Sequence, residues 1–280
     1  NSFLSDRLLI SSLIEMDWII EFLKKELDDV SGVRVEDVRV GLVYTGVLIS
    51  TGHGGLAYTP IHEYSGCPSL SIAGEISGSP ASEVMMMALS QNLIKASIGV
   101  ATINALSQLA FEIHPERYIF SNIDVLDLIR RDDRISMIGY FGPLIPKILK
   151  RTREVYVLEK RRVSDNRVRF VSPSEMSRII GSSDVILISG STLVNKTIDE
   201  ILRFSGGARE IVLLGPTASV IPYPLFERGV TAVMGVRIKD PRVMLRVISE
   251  AGGTQQILAK CAEKIAFLKR DYDRRMIGQA

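Results

Sequence analysis

The stretch ISMIGYFGPLIPKILKRTREVYVLE, residues 135–159, decides the fold. Residues 135–141 form an apolar run with the length and branching of a buried strand, and Gly142-Pro143 is a tight-turn dipeptide. Residues 144–151 then alternate as an amphipathic helical segment, and a second apolar run, 155–158, ends on Glu159. Strand, turn, helix and strand in that order make a βαβ unit, the building block of a parallel sheet. Such a unit leaves a helix start, with free N–H groups that favour an anion, at the end of a strand. Glu159 stands twenty residues after Gly139, the separation at which dinucleotide folds hold a ribose diol. The glycine-rich fingerprint of those folds is absent, so the unit speaks for a fold before it speaks for a ligand.

The pattern continues downstream. After a polar stretch, 160–169, the run Ser172-Pro173-Ser174-Glu175 has the form of a helix start. Residues 184–189, 211–214 and 231–236 read as further buried strands, with helices over 195–204 and 224–227 between them. Residues 240–251 and 255–272 read as closing helices. Strands that are apolar throughout imply a parallel sheet covered on both faces.

Upstream the pattern differs. Leu8, Leu9, Leu13, Ile14, Trp18, Ile19, Phe22 and Leu23 recur at helical spacing, which predicts an amphipathic helix ending near Asp28. Strands follow at 33–43, 47–50 and 56–59, with a bend or bulge at Gly46 and a turn at Gly52-His53-Gly54-Gly55. Residues 60–80 are rich in Gly and Pro and form a long loop, of the kind that carries function. Helices at 82–93 and 98–110 come next, the second rich in small residues and enclosing Asn104, which is either a buried polar anchor or a residue facing a cleft. Residues 115–121 read as a linker. The expected organisation is two domains: an α+β domain over 1–115 and a Rossmann-like α/β domain with C-terminal helices over 116–280.

A chain of 280 residues is long enough for two cores, and 46% hydrophobic with 24% charged residues is ordinary for a globular protein. A net charge of +2, with basic residues only in short clusters such as Lys160-Arg161-Arg162, argues against a nucleic-acid partner. Cys67 and Cys261 form no spaced metal or redox motif, so a reducing, cytoplasmic setting is expected. Glu15 and Asp17 interrupt the apolar opening segment, which is therefore read as neither signal peptide nor membrane span.

Ligands of open parallel sheets bind beyond the carboxyl ends of the strands. Those ends carry Gly142 and Pro143, Glu159, Ser189-Gly190-Ser191-Thr192, and Gly215-Pro216-Thr217, with Asn195 close behind. These are the candidate cofactor-binding residues, and the plain alternative is turn chemistry, with Asn195 a helix N-cap. His53, His62 and Cys67, with Glu63 beside them, offer ligand types suited to a transition metal, although their spacings match no zinc pattern. With only three histidines and no Ser-His-Asp or Cys-His arrangement, covalent hydrolase chemistry is not expected. No catalytic residue is assigned, and whether the chain is an enzyme stays open.

The segments IGVATINAL (98–106), DVILISGSTLVNKTIDEI (184–201) and LLGPTASVIPYPLFERGVTAVMG (213–235) together resemble the DUF364 family, with its N-terminal companion DUF4213, a group assigned to heavy-metal chelation. The resemblance runs from about residue 39 to about residue 253. It implies an N-terminal domain like that of enolase, three strands followed by helices, joined to a Rossmann-like domain, with a cleft between them that Asn104 would face as a substrate-binding residue. The implied function is small-molecule binding in that cleft, linked to heavy-metal chelation or metal-chelator handling. Two alternatives stand beside it. One is an enzyme using a nucleoside cofactor, S-adenosylmethionine or a dinucleotide, with Glu159 on the ribose; the other is a non-catalytic metal chaperone or sensor using His53, His62 and Cys67. The expected partner is a small molecule or metal ion rather than nucleic acid or membrane, and a homodimer stays open.

Overall fold

The structure, a computed structural model, describes residues 16–28, 30–64 and 66–278. Residues 8–15 of the expected opening helix lie outside the described residues; the remainder forms α1 (Asp17–Glu26), which buries Ile19, Ile20 and Leu23. Three antiparallel strands follow, β1 (Val35–Val40), β2 (Tyr44–Ile49) and β3 (Gly54–Tyr58), in the order β1-β2-β3. The loop after β3 leads to a short helix, α2 (Ala81–Val84), a 3-10 turn at Met85–Leu89, and α3 (Leu93–Ile113). Asn92 caps α3 by accepting from the N–H groups of Ile94 and Lys95. Among the described residues α3 alone is long and apolar enough to cross a membrane, and it is a core helix, buried on nearly every side.

The second sheet has seven strands: β4 (Ile135–Ile138), β5 (Val155–Leu158), β6 (Arg169–Phe170), β7 (Val185–Ser189), β8 (Glu210–Leu214), β9 (Ala232–Ile238) and β10 (Ala262–Leu268). Their order is β10-β9-β8-β7-β4-β5-β6, and every pairing is parallel except β10 with β9. The connections carry α4 (Ile145–Ile148), α5 (Met176–Gly181), α6 (Ser191–Val194), α7 (Ile198–Phe204) and α8 (Tyr223–Glu227). The fold is therefore mixed α/β, a parallel-dominated sheet beside a smaller antiparallel one.

The period-2 geometry of a strand explains why the central runs are apolar throughout. On one face Ile186, Ile188, Ile211, Leu213 and Val233 join α1, α3 and the inner face of the small sheet in one core. On the other, Val185, Leu187, Val212, Leu214 and Ala232 pack with Ile145, Ile148 and Leu128 in a second. The chain then returns to the small sheet. Helix α9 (Pro241–Ser249), capped by Asp240, lays Met244, Leu245 and Ile248 on Tyr44, Leu48 and Leu56. The antiparallel sheet thus lies between α3 and α9, and its glycines make the approach possible. A Cβ at Gly55 would stand 2.2 Å from Ala101 O and Ala105 N of α3, and one at Gly46 2.5 Å from Ile248 Cδ1 of α9.

Three local expectations are corrected. Residues 255–272 are not one helix: they divide into α10 (Thr254–Lys260), β10 and α11 (Lys269–Gly278), because Ile265 and Phe267 find one apolar face of the sheet and Leu268 the other. Gly46 is neither bend nor bulge but a paired position inside β2, opposite Arg39 and Leu56, and the irregularity of register falls in β1 between Val35 and Asp37. The helix expected over 195–204 starts three residues later, as α7, because Lys196 in the left-handed region (φ 60°) separates it from α6.

Candidate functional site

Because β4, β5, β7 and β8 are parallel neighbours, the loops leaving them share one edge. Gly139 (φ 92°) turns the chain out of β4, where a Cβ would come 2.8 Å from the Cβ of Ser189 at the end of β7. The Glu159 carboxylate, 8% exposed, accepts from Tyr140 N at 2.9 Å and from Arg161 N, Nε and Nη2 at 2.9, 3.2 and 2.9 Å. Burial pushes this carboxyl up, but the Arg161 guanidinium, with the two N–H groups, holds it below the ordinary glutamate value. Glu159 is therefore an ionised brace with both oxygens engaged. A ribose diol would have to displace Arg161.

Each strand-end residue has a distinct task. Tyr140 donates to Asp165, which also binds Arg167, so the polar loop after β5 is folded over the edge. Ser189 Oγ accepts from Ser191 Oγ at 2.9 Å, and Thr192 Oγ1 donates to Ser189 O at 2.7 Å. Asn195 Oδ1 accepts from Thr197 Oγ1 at 2.8 Å, which turns its Nδ2 toward the N-terminal part of the chain. Gly142 lies against the Tyr140 ring and Gly190 against the backbone of Thr217 and Ala218, so both glycines serve close packing. Pro143 follows Gly142 in the turn, and Pro216 opens the 3-10 turn Pro216–Ala218. Gly215 differs: at φ 107°, ψ 168° only glycine is comfortable, and a Cβ there would meet open space.

The other wall comes from the N-terminal part. Tyr58 N donates to Thr217 Oγ1 at 2.9 Å, and Ser97 Oγ donates to Tyr58 O at 2.8 Å. The Tyr58 phenol is raised above its ordinary value by burial first, and by Glu63 and Glu159 against the opposing Arg161, so it stays a neutral donor. Glu63 reaches across to Lys160 Nζ at 2.6 Å and to Asn195 Nδ2 at 3.2 and 3.3 Å. Asn104 is the fixed staple beneath: fully buried, it donates from Nδ2 to Leu56 O at 2.8 Å and to Thr217 O at 2.9 Å. The structure thus makes it an anchor between the two sheets. Among the described residues its Oδ1 has no hydrogen-bond partner.

The structure does not bring the three metal candidates together. His53 stands before β3, with Nδ1 against Thr51 Oγ1 at 2.9 Å and Nε2 against Glu112 at 3.1 Å. His62 and Cys67 are exposed beyond the other end of β3, a strand roughly 16 Å long. Among the described residues no group of three or more His, Cys, Asp or Glu side chains is placed to hold a metal ion. The donors that line the edge are instead Lys160, Arg161, Asn195, Tyr58 and the serines. Sequence reasoning passed over Tyr58 and took Lys160 and Arg161 only as part of a short basic cluster. The only local signal was their position, at the end of one strand and directly after another.

Comparison with known proteins agrees with this architecture. Residues 122–267 match the DUF364 family, described as "Putative heavy-metal chelation", and residues 23–107 match DUF4213, which carries the same description. The chain belongs to the DUF364 family. A DUF364-family protein of unknown function from Pyrococcus horikoshii superposes with a TM-score of 0.76 at 27% identity, covering 90% of this chain and 99% of that one. A second DUF364-family structure, from Desulfitobacterium hafniense, has a TM-score of 0.73 at 21% identity over 90% of this chain and 99% of its own, and shares the fold. An uncharacterised protein of Methanocaldococcus jannaschii is 30% identical over 237 residues, 79% of this chain and 87% of its own length.

Proposed function

We propose that this DUF364 protein binds a small carboxylate-bearing metal chelator, or its metal complex, in the cleft where domain 1–115 meets the carboxyl edge of the parallel sheet in domain 116–280. One observation carries the reading: the loops after β4, β5, β7 and β8 converge on one edge, and Tyr58 and Glu63 roof it from the N-terminal side. The donor set favours the chelator over the bare ion. Lys160, Arg161, Asn195 and the Tyr58 phenol donate to carboxylate and hydroxyl oxygens, whereas no three metal-ligating side chains are grouped among the described residues. The nucleoside-cofactor alternative loses its chief support, since the carboxylate it needs is held by Arg161.

Calorimetry and native mass spectrometry on protein purified without a metal-affinity step test this, with nickel(II) alone, citrate alone and nickel(II) citrate as probes. Citrate and its complex are expected to bind at one per chain, and the bare ion is expected to wash away. Stoichiometric retention of nickel without any organic anion would sink the proposal.

A further inference from the structure

We propose that the Glu63 carboxylate is a built-in competitor: it fills a carboxylate subsite formed by Lys160 and Asn195, and a ligand carboxylate displaces it. The inference rests on reading the cleft as a small-molecule site and adds what that site recognises and how it is guarded.

Glu63 belongs to the irregular segment between β3 and α2, yet its side chain is only 18% exposed, because it reaches across to two loops of the parallel sheet. Lys160 approaches Oε2 at 2.6 Å, and Asn195 Nδ2 lies 3.2 and 3.3 Å from the two oxygens. A cationic donor and an amide donor converging on one carboxylate repeat the way a carboxylate ligand is held.

The amide half of the subsite is fixed without Glu63. The Asn195 amide is oriented by the Thr197 hydroxyl at 2.8 Å, and its backbone N–H donates to Ser191 O at 3.1 Å. Next to it, Lys196 adopts a left-handed conformation (φ 60°) and anchors its ammonium on the carbonyls of Leu89 and Ser90. Nδ2 therefore points to the same place whichever carboxylate occupies it, which is the preorganisation a binding subsite needs.

Glu63 itself is the replaceable member. Its bonds are one ion pair to a lysine that is 60% exposed and a long contact to an amide, a combination that water and salt weaken readily. The Tyr58 phenol lies near enough for the charges of both Glu63 and Arg161 to act on it. A ligand carrying a second carboxylate would gain there what Glu63 lacks.

The test is calorimetric titration with glutarate, whose end repeats the Glu63 side chain, and with glutaramide as the uncharged control. Parent, Glu63→Ala, Glu63→Gln, Glu63→Ala/Lys160→Met and Glu63→Ala/Asn195→Ala proteins are compared, each checked for unchanged far-UV dichroism. If the latch is closed for about nine-tenths of the time, Glu63→Ala binds glutarate about tenfold tighter than the parent. Glu63→Gln shifts affinity in the same direction, both double variants lose the gain, and glutaramide binds none of the proteins. Equal affinity in parent and Glu63→Ala overturns the latch, as does a double variant that keeps the tightened binding. Either result leaves the cleft reading standing on its citrate titration. No glutarate binding to any protein also overturns the latch, and only a failed citrate titration beside it would remove the cleft reading as well.

Discussion

Two cysteines with the same side chain carry opposite chemistry here. Cys67 is exposed, and hydrogen bonds from the Ser69 side chain and backbone draw its thiol below the ordinary cysteine value. Cys261 is buried with Sγ 3.3 Å from Ile257 O; burial, with Asp240 nearby, pushes its thiol up to about 11. A thiol reagent at pH 8 is therefore expected to label one cysteine in the native protein, Cys67, and the second only after unfolding. Peptide mapping by mass spectrometry checks this, and equal labelling of both would contradict the burial of Cys261. At this scale the sequence was half legible. Asn104 was recognisable as a polar residue with a special task, but its partners, Leu56 O and Thr217 O, lie 48 and 113 residues away along the chain. Glu159 was recognisable as a carboxylate at a strand end. Its partner Arg161 is only two residues on, but whether that side chain folds back or points to water is set by the turn, which no spacing rule predicts.

The elements show the same division. Helix α3 was legible because its small residues announce close packing, and Gly55 is where β3 meets it. Gly55→Ala places a methyl carbon against two backbone atoms of α3, so the strand or the helix must move, at a cost of about 3 kcal/mol. Gly52→Ala is the control: its φ of 85° is uncomfortable for alanine but the space is open, and the loss should be about 1 kcal/mol. Urea midpoints compared at constant m-value measure both. A Gly55→Ala loss no larger than that of Gly52→Ala would mean that the contact with α3 is looser than the distances say. Strand β10 was not legible as a strand. Ala262, Glu263, Lys264 and Ala266 are good helix formers, and only the antiparallel register with β9, Ala262 opposite Ile238 through Leu268 opposite Ala232, overrides that preference.

On the scale of the whole molecule, the small sheet depends on the end of the chain. Tyr44, Leu48 and Leu56 are covered by α9, which lies about two hundred residues later in sequence. The inner face of the same sheet shares one core with Ile186, Ile188, Leu213 and Val233 of the large sheet. A fragment ending at residue 115 would thus expose apolar surface on both sides. We expect it to bind a hydrophobic dye and to give a poorly dispersed amide NMR spectrum, while the full chain melts in one transition. A well-dispersed spectrum from the fragment would show that the first 115 residues are self-sufficient.

The sequence alone determined the βαβ unit at 135–159, the parallel sheet and the edge at which its loops gather. Each rests on local information: apolar periodicity, turn dipeptides and the one-way geometry of a parallel crossover. Tertiary structure alone decided that Gly46 is a packing position, that β10 is a strand, that α9 closes over β2 and that Glu63 meets Lys160 and Asn195. The reason is common to all four. Each is a pairing between residues 24 or more apart, held by complementary shape or charge across space, and such pairings leave no period in the chain from which they could be read.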